Sequence, residues 1–422
     1  MSATPLPAAL SPLEAAARCR ALPGLVFFDT ALAPQEDGDT LSLLAVEPSL
    51  ILTGHTEADW AALRQAVAAR QQPSASGTLV PPGFAAGWVE YDGAFCFAFY
   101  DTVLAYRHAE SRWIAEGFVL PEAGTMPASP RLQFTPSTRR EDFIARVERA
   151  QAYIAAGDIY QVNLSHRFTA PWPEGGDPFA FYETLRRCSP APYAAFLALQ
   201  GRAVLSSSPE LFLKIDGRRI LTRPIKGTRP RRADPTADAR SARDLLASPK
   251  EQAELIMITD LERNDLGQVC TFGSVRASEL LKLERFAQVF HLVSTVEGEL
   301  KPEVDAVTAL HACFPGGSIT GAPKKRAMEI IAELEPEPRG LYTGAIGYFG
   351  FDGSAQFNIA IRTVVVEAGQ AHFHVGGGIV ADSLPAKEWQ ETLDKAAGIL
   401  LAAENPERDH AGSFSFAPGT SW

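Results

Sequence analysis

Cysteine is scarce in this chain: Cys19, Cys96, Cys188, Cys270 and Cys313 are odd in number and widely spaced along 422 residues. They make neither a C-x-x-C pair nor a zinc pattern with the eight histidines, which argues against a disulfide framework or structural zinc and for reduced thiols. Positive charge is short as well, 39 Lys plus Arg against 50 Asp plus Glu, for a net charge of -11. That balance opposes non-specific attraction to nucleic acid or an anionic membrane, so neither is expected as a partner and a small substrate is. No apolar run reaches the roughly 18 residues needed to span a bilayer, and the start Met1 to Pro7 has no basic stretch followed by an apolar core, so a cytoplasmic location is expected. Low-complexity bias is missing too: 46% hydrophobic and 21% charged residues mark an ordinary globular protein, large enough for two or three domains or one two-layer core.

Residues 1–125 alternate short apolar runs (Leu25 to Phe28, Leu41 to Val46, Phe95 to Tyr100) with Gly, Pro and Asp, a pattern of short strands and turns without a cluster of chemical groups. The small, Pro-rich stretch Pro121 to Pro130 is the best linker candidate. From Arg140 a helical pattern through Phe143, Val147 and Tyr153 ends at Gly157, and Ile159 to Leu164 then alternates as a strand, placing Gln161 on a strand face. Residues 203–228 read as strands with a hairpin at Asp216-Gly217, and 341–375 as three more with turns at Asp352-Gly353 and Gly369. Helices are expected over roughly 237–265, 303–313, 322–334 and 385–404. Hairpins mixed with helices predict an α+β fold with antiparallel sheets, divided into a strand-rich region 1–125, a catalytic part 140–405 and a flexible tail 406–422.

Two expected helices carry carboxylates three residues apart, Glu251 with Glu254 and Glu388 with Glu391. That spacing puts both members of a pair on one helix face, and two such faces converging would supply the hard oxygen ligands Mg²⁺ prefers. A solvated acidic face is the ordinary alternative, weakened by the apolar runs Leu255 to Ile258 and Ile399 to Leu401 beside the pairs. Glycine clusters at Gly316-Gly317, Tyr342-Thr343-Gly344 and Gly376-Gly377-Gly378 let backbone N–H groups approach an oxyanion, and the first opens a helix whose N-terminus favours negative charge. It is not a nucleotide loop, because the Lys and Ser/Thr that must follow directly are absent.

Glu210, His291 and Arg362 each lie in or beside an apolar, strand-like stretch, where a charged group needs a partner; His291 by itself reads as a satisfied core histidine. Arg229, Arg231, Arg232, Arg240 and Arg243 read as a solvated, mobile basic loop. Lys226 stands out, placed between a Pro-stiffened backbone and a Gly227-Thr228 pair that can approach a ligand closely, as a candidate nucleophile.

Together these elements resemble the chorismate-utilising enzymes, the family of the anthranilate synthase and aminodeoxychorismate synthase components I. The resemblance is carried by Pro224-Ile225-x-Gly227-Thr228, Asp260-Leu261-x-Arg263-Asn264-Asp265-Leu266-Gly267, Phe314-Pro315-x-Gly317-Ser318-x-Thr320-Gly321-Ala322-Pro323-Lys324 and Asp382-Ser383-x-Pro385-x-x-Glu388-x-x-Glu391-Thr392. It covers 140–405 strongly and implies an α+β body of large antiparallel sheets packed face to face with helices outside. It also implies that Glu254 and Glu391, with Glu251 and Glu388 close by, hold Mg²⁺ against the ring carboxylate of chorismate. Gln161, Gly227, Thr228, Tyr342, Arg362, Gly376, Gly377, Gly378 and Lys395 match positions around the substrate. Glu210 matches the acid that protonates the departing hydroxyl, and His291 a catalytic histidine.

Gln161 falls where members that add water carry a lysine, which favours ammonia as the incoming group. Lys226 then points to the aminodeoxychorismate branch, since anthranilate synthases read Pro-Ile-Ala-Gly-Thr; the implied reaction attaches Lys226 to C2 before ammonia adds at C4. Arg223 and Arg229 are candidate sources of positive charge to activate that lysine. No cysteine lies in a Gly-x-Cys-x-Gly elbow, so ammonia is expected from a separate glutamine amidotransferase subunit or from free ammonium. The anthranilate synthases' Leu-Leu-Glu-Ser stretch, part of a tryptophan pocket, is replaced by Leu43-Leu44-Ala45-Val46-Glu47, a departure that weighs against feedback by tryptophan.

Overall fold

The computed structural model describes residues 10–31, 40–72, 80–114, 119–286 and 289–404; the expected tail 406–422 lies outside them. The strand Phe95–Tyr100 shows how the chain layers itself. Phe95, Phe97 and Phe99 point into one apolar cluster and Cys96, Ala98 and Tyr100 into another, so a continuous apolar run is buried on both faces. The second cluster also takes Val26, Leu43, Leu197, Val204 and Val365 from a different sheet. Two antiparallel sheets, one of eleven strands and one of ten, therefore pack face to face through it.

Helices cover the two outer faces. Ala15, Phe179, Tyr182, Leu185, Ala396 and Ile399, from the helices Pro12–Cys19, Pro178–Cys188 and Pro385–Glu404, bury one side of the eleven-stranded sheet. Trp60, Leu63, Leu266, Val269, Val307 and Leu310, from Glu57–Ala68, Pro249–Val269 and Ala306–Cys313, bury the far side of the other. The fold is α+β with large antiparallel sheets and helices outside, as expected from the sequence. The N-terminal strands enter both sheets: Val26–Asp29 pairs with Tyr193–Leu199, and Phe84–Val89 with Ala345–Gly350.

Several boundaries differ from the sequence reading. The helix expected over 237–265 is two, Pro235–Leu246 and Pro249–Val269, because Ser248 caps a new helix with Pro249 at its first position. The strands expected over 341–375 number four: Ala345–Gly350, Ala355–Ile359, Thr363–Glu367 and Gln370–Ile379. Between the second and third the chain passes from one sheet to the other, turning at Arg362 in a left-handed conformation with φ 49°. The helix Glu57–Ala68 interrupts the strand-rich region, entered through a reciprocal Thr56–Asp59 capping box that was legible but unread. The candidate linker 121–130 has no regular structure but is tied down, with Met126 against the core and Arg20 donating to the Thr125 carbonyl.

The basic loop is a correction as well. Arg229 and the backbone to Pro230 belong to a strand, Arg231 pairs with Asp238 and stacks over Phe290, and Arg240 and Arg243 are exposed on the helix Pro235–Leu246. Ordering follows from the carboxylate and aromatic partners that a mobile loop would lack. All five cysteines are free and buried, and no helix of the described residues is long and apolar enough to cross a membrane.

Candidate functional site

The two acidic helices are linked through a side chain. On Pro249–Val269 and on Pro385–Glu404, each glutamate pair lies on one face at three-residue spacing. The helices are bridged by Lys250, whose Nζ lies 3.8 Å from Glu254 and 3.8 Å from Glu388. Glu391 is 2.8 Å from the Lys395 ammonium, which also donates to the Gly376 carbonyl at 2.8 Å. A Cβ built on Gly377 would lie 3.5 Å from Glu388 and 3.7 Å from Glu391, so the glycine triplet borders this acidic corner. Burial raises the Glu254 carboxyl, against the opposing pull of Lys226 and Lys250, and raises Glu388, against a hydrogen bond from Ser383. Burial also pushes Glu391 upward, but Lys395 outweighs it and the net displacement is down.

The corner suits a hard divalent cation by its donor set. Its ligands are carboxylate oxygens, one of them, Glu254 Oε1, is buried without a hydrogen-bond partner, and a lysine ammonium already sits between two of the carboxylates. Among the described residues no three His, Cys, Asp or Glu side chains are closed into a ready coordination sphere, because Lys250 and Lys395 share the carboxylates.

Lys226 is set by a β-bulge. The strand Ile225–Pro230 pairs with Val289–Glu299 so that Lys226 lies opposite Leu292 and Thr228 opposite His291, with the register shifting at Gly227. Gly227 has φ +77° and a Cβ there would lie 2.9 Å from Glu251, so both the backbone turn and the closeness of the acidic helix require glycine. Lys226 Nζ donates to the Ser318 carbonyl at 3.2 Å. Glu210 is buried in the same corner at 6% exposure, where the Ser318 side chain acts to lower its carboxyl. Burial raises the Glu210 carboxyl above the ordinary range, and the charges of Lys226 and Lys395 with the Ser318 hydrogen bond pull it back only in part. The proposed activators are otherwise engaged: Arg223 pairs with Glu284 and Glu279, and Arg229 faces Glu251 at 3.5 Å.

His291 is buried at 4% exposure and its Nδ1 lies 2.9 Å from the Thr228 hydroxyl. Burial first, and then the Arg362 charge, push its ring down to about 3, so it is neutral at pH 7. The core-histidine reading and the site reading thus meet in one residue, satisfied and yet next to Gly227. Arg362 is lowered by burial, and the Glu210 charge opposes that shift.

The opposite wall is the strand Gln370–Ile379 and its neighbour Gln161–Pro171. Gly376 must be glycine, since a Cβ would lie 2.5 Å from the Leu164 carbonyl and 2.7 Å from the Tyr342 hydroxyl. Gly378 faces the Gln161 amide, and both polar atoms of that amide are buried without partners at 1% residue exposure. Tyr342 stacks on His374 at 5.3 Å, and burial pushes its hydroxyl up to about 12. The loop carrying Tyr342 is pinned by buried Arg339, which binds Glu335, the Ile319 and Asn163 carbonyls and Thr343.

Sequence reading passed over four participants: Lys250, Ser318, Glu262 and Arg339. Ser318 acts through its backbone as well as its hydroxyl, and Glu262 occupies the unspecified third position of the Asp260-Leu261-x-Arg263 motif. Only Lys250, one residue before Glu251 on a helix of paired acids, left a charge-spacing signal.

Residues 34–401 match the model of the chorismate binding enzyme family. The chain is 49% identical over 289 residues to anthranilate synthase component 1 of Streptomyces coelicolor, covering 68% of this chain and 56% of that protein. It is 48% identical over 288 residues to aminodeoxychorismate synthase component 1 of Klebsiella aerogenes, covering 67% and 63%. Over the matched segments the chain thus spans a little over half of each relative's length. In structure it is similar to anthranilate synthase component I of Streptococcus pneumoniae, with a TM-score of 0.75 and 30% identity over 85% of this chain and 92% of that one. With a family match over most of its length and the same layered sheets in a solved relative, the chain belongs to the chorismate-binding enzymes.

Proposed function

We propose that this protein is the chorismate-aminating component of an aminodeoxychorismate synthase, making 4-amino-4-deoxychorismate with ammonia from a separate glutaminase subunit, in the route to p-aminobenzoate and folate. The observation that carries this reading is Lys226, a lysine in the Pro-Ile-x-Gly-Thr bulge with its amine on the Ser318 carbonyl, beside a buried acid that shares Ser318. Glu254 and Glu391, with Glu251 and Glu388, would hold Mg²⁺, which supplies positive charge for the ring carboxylate. Arg362 and the Gly376 to Gly378 amides would take the second carboxylate, with Tyr342 and Lys395 also at the substrate.

In the first step the neutral Lys226 amine bonds to C2 and the two ring double bonds shift. The C4–O bond breaks, and the hydroxyl leaves as water with the proton of Glu210, whose raised carboxyl keeps that proton available. The adduct nitrogen sheds a proton that restores Glu210. Ammonia then bonds to C4 with the reverse shift, and Lys226 leaves C2, taking up the proton the incoming nitrogen releases. Neutral His291 beside Gly227 suits a hydrogen-bonding role near the ring rather than a charged one.

Anthranilate formation is the second reading, favoured by the 49% identity to a protein of that name. Incubation of the protein with chorismate, Mg²⁺ and ammonium, with separation of products, decides between them. The 4-amino product, lost in Lys226→Ala, supports the covalent lysine; anthranilate from the unaltered protein overturns it.

A further inference from the structure

Ser318 engages two titratable groups through its backbone. Its carbonyl accepts from Lys226 at 3.2 Å, and its N–H donates at 3.3 Å to Glu262 Oε1, which also accepts the Gly317 N–H at 3.2 Å. Glu262 is 2% exposed on the helix Pro249–Val269, two turns beyond Glu254 on the same element. One turn further, Asp265 is held by Lys324 at 2.6 Å, and Lys324 also donates to the Cys313 carbonyl, so both ends of the Gly316 to Thr320 loop are tied to this helix.

We infer that Glu262 is a positioning residue for the nucleophile: by gripping the Gly317 and Ser318 N–H groups it fixes the turn Gly317–Ile319 so that the Ser318 carbonyl aims at Lys226. The inference rests on the proposed role of Lys226 and extends it to a residue no motif specifies. The two N–H groups belong to the peptide planes on either side of Gly317, so holding both fixes the start of the short turn Gly317–Ile319, which carries the Ser318 carbonyl one peptide further on. Burial first, and then the Asp265 charge, push the Glu262 carboxyl up to about 8, so it accepts both N–H bonds mainly as a neutral group, and its loss leaves two buried donors unsatisfied.

Without that clamp the Lys226 amine loses its neutral acceptor and turns to the carboxylates that already feel its charge, Glu210 and Glu254. A carboxylate partner draws the amine away from the Ser318 carbonyl and so removes it from its position for attack. Gln at 262 keeps a carbonyl oxygen for the two N–H groups, whereas Met fills similar space without an acceptor.

The test compares the unaltered full chain, Glu262→Gln and Glu262→Met. It reads the rate of Lys226 acylation by an N-hydroxysuccinimide ester in ligand-free protein, mapped by peptide mass with exposed Lys214 as the internal reference. It also reads kcat and KM for chorismate, and the melting temperature. In Glu262→Met, Lys226 acylation relative to Lys214 should fall about tenfold and kcat about 100-fold, the scale of a mispositioned reacting group, with KM within about twofold. Glu262→Gln should recover most of both. A folded Glu262→Met with unchanged Lys226 acylation overturns the inference, and so does a Gln variant as impaired as Met; should Met not fold, the Gln comparison alone decides. Because acylation needs no substrate, the readings separate: if the unaltered protein makes anthranilate without a lysine adduct, the proposed chemistry falls while the effect of Glu262 on Lys226 still stands or falls on its own measurement.

Discussion

Lys250 places its ammonium 3.8 Å from the Glu388 carboxylate, joining the two acidic helices across the space that Mg²⁺ would need. The same nitrogen is 3.8 Å from Glu254, so a lysine and a divalent ion would compete for one pair of carboxylates. Lys250 is nearly half exposed, which limits its pull to roughly 1 kcal/mol or less. Replacing it with methionine should therefore tighten Mg²⁺ binding a few-fold, up to about fivefold, since 1.4 kcal/mol is a factor of ten. Calorimetric titration of Mg²⁺ into Lys250→Met reads this directly. Unchanged affinity would mean that the ion does not bind between these helices.

The acidic corner also predicts how Mg²⁺ binding depends on pH. Burial is the main reason that Glu254 and Glu388 stand above the ordinary carboxylate range, so as pH falls they take up protons before an exposed glutamate would. A proton on either ligand competes with the ion. Apparent Mg²⁺ affinity should thus decline on acidification starting at a higher pH than exposed glutamates would give. Glu254→Gln should weaken binding and flatten the decline. An Mg²⁺ affinity that holds constant down to pH 5 in the unaltered protein would remove Glu254 and Glu388 from the binding site.

Glu210 carries the corresponding prediction for catalysis. Its carboxyl is raised by burial, and an acid works only while protonated, so kcat/KM for chorismate should fall on the alkaline side as Glu210 loses its proton. Lys226 opposes the shift by favouring the carboxylate, and Ser318 does the same through its hydroxyl. Ser318→Ala should raise the Glu210 carboxyl further and move the alkaline limb to higher pH. Movement to lower pH would show that the limb belongs to another group.

Much of this arrangement was legible in the chain. The three-residue spacing of Glu251 with Glu254 and of Glu388 with Glu391 foretold two acidic faces, and the proline and glycine flanking Lys226 marked a position held for a ligand. Phe95 to Tyr100 announced a strand buried on both sides. Other features were hidden for physical reasons. Arg276–Arg285 and Val289–Glu299 form the long pair beside Lys226, but Glu279, Glu284 and Glu297 serve as ion-pair partners there and break the apolar alternation that identifies a strand. The grip on Ser318 is a backbone contact, which no side-chain pattern encodes, and Lys250 became informative only when tertiary packing brought Glu388 beside it.

Gln161 offers a test in which stability and activity should move in opposite directions. Its amide oxygen and nitrogen are both buried without partners, next to Gly378. A buried polar group left unsatisfied costs about 1 to 3 kcal/mol, and a ligand that pairs with it recovers that cost on binding. Gln161→Met keeps the length of the side chain and removes both polar atoms, so it should stabilise the ligand-free protein by about 1 to 3 kcal/mol in denaturant unfolding. The same change should lower kcat/KM by about tenfold or more, because the incoming group or the substrate loses its partner. A residue that served only the core would show no such opposition. If the methionine variant is less stable and equally active, Gln161 belongs to the packing between the sheets and not to the site.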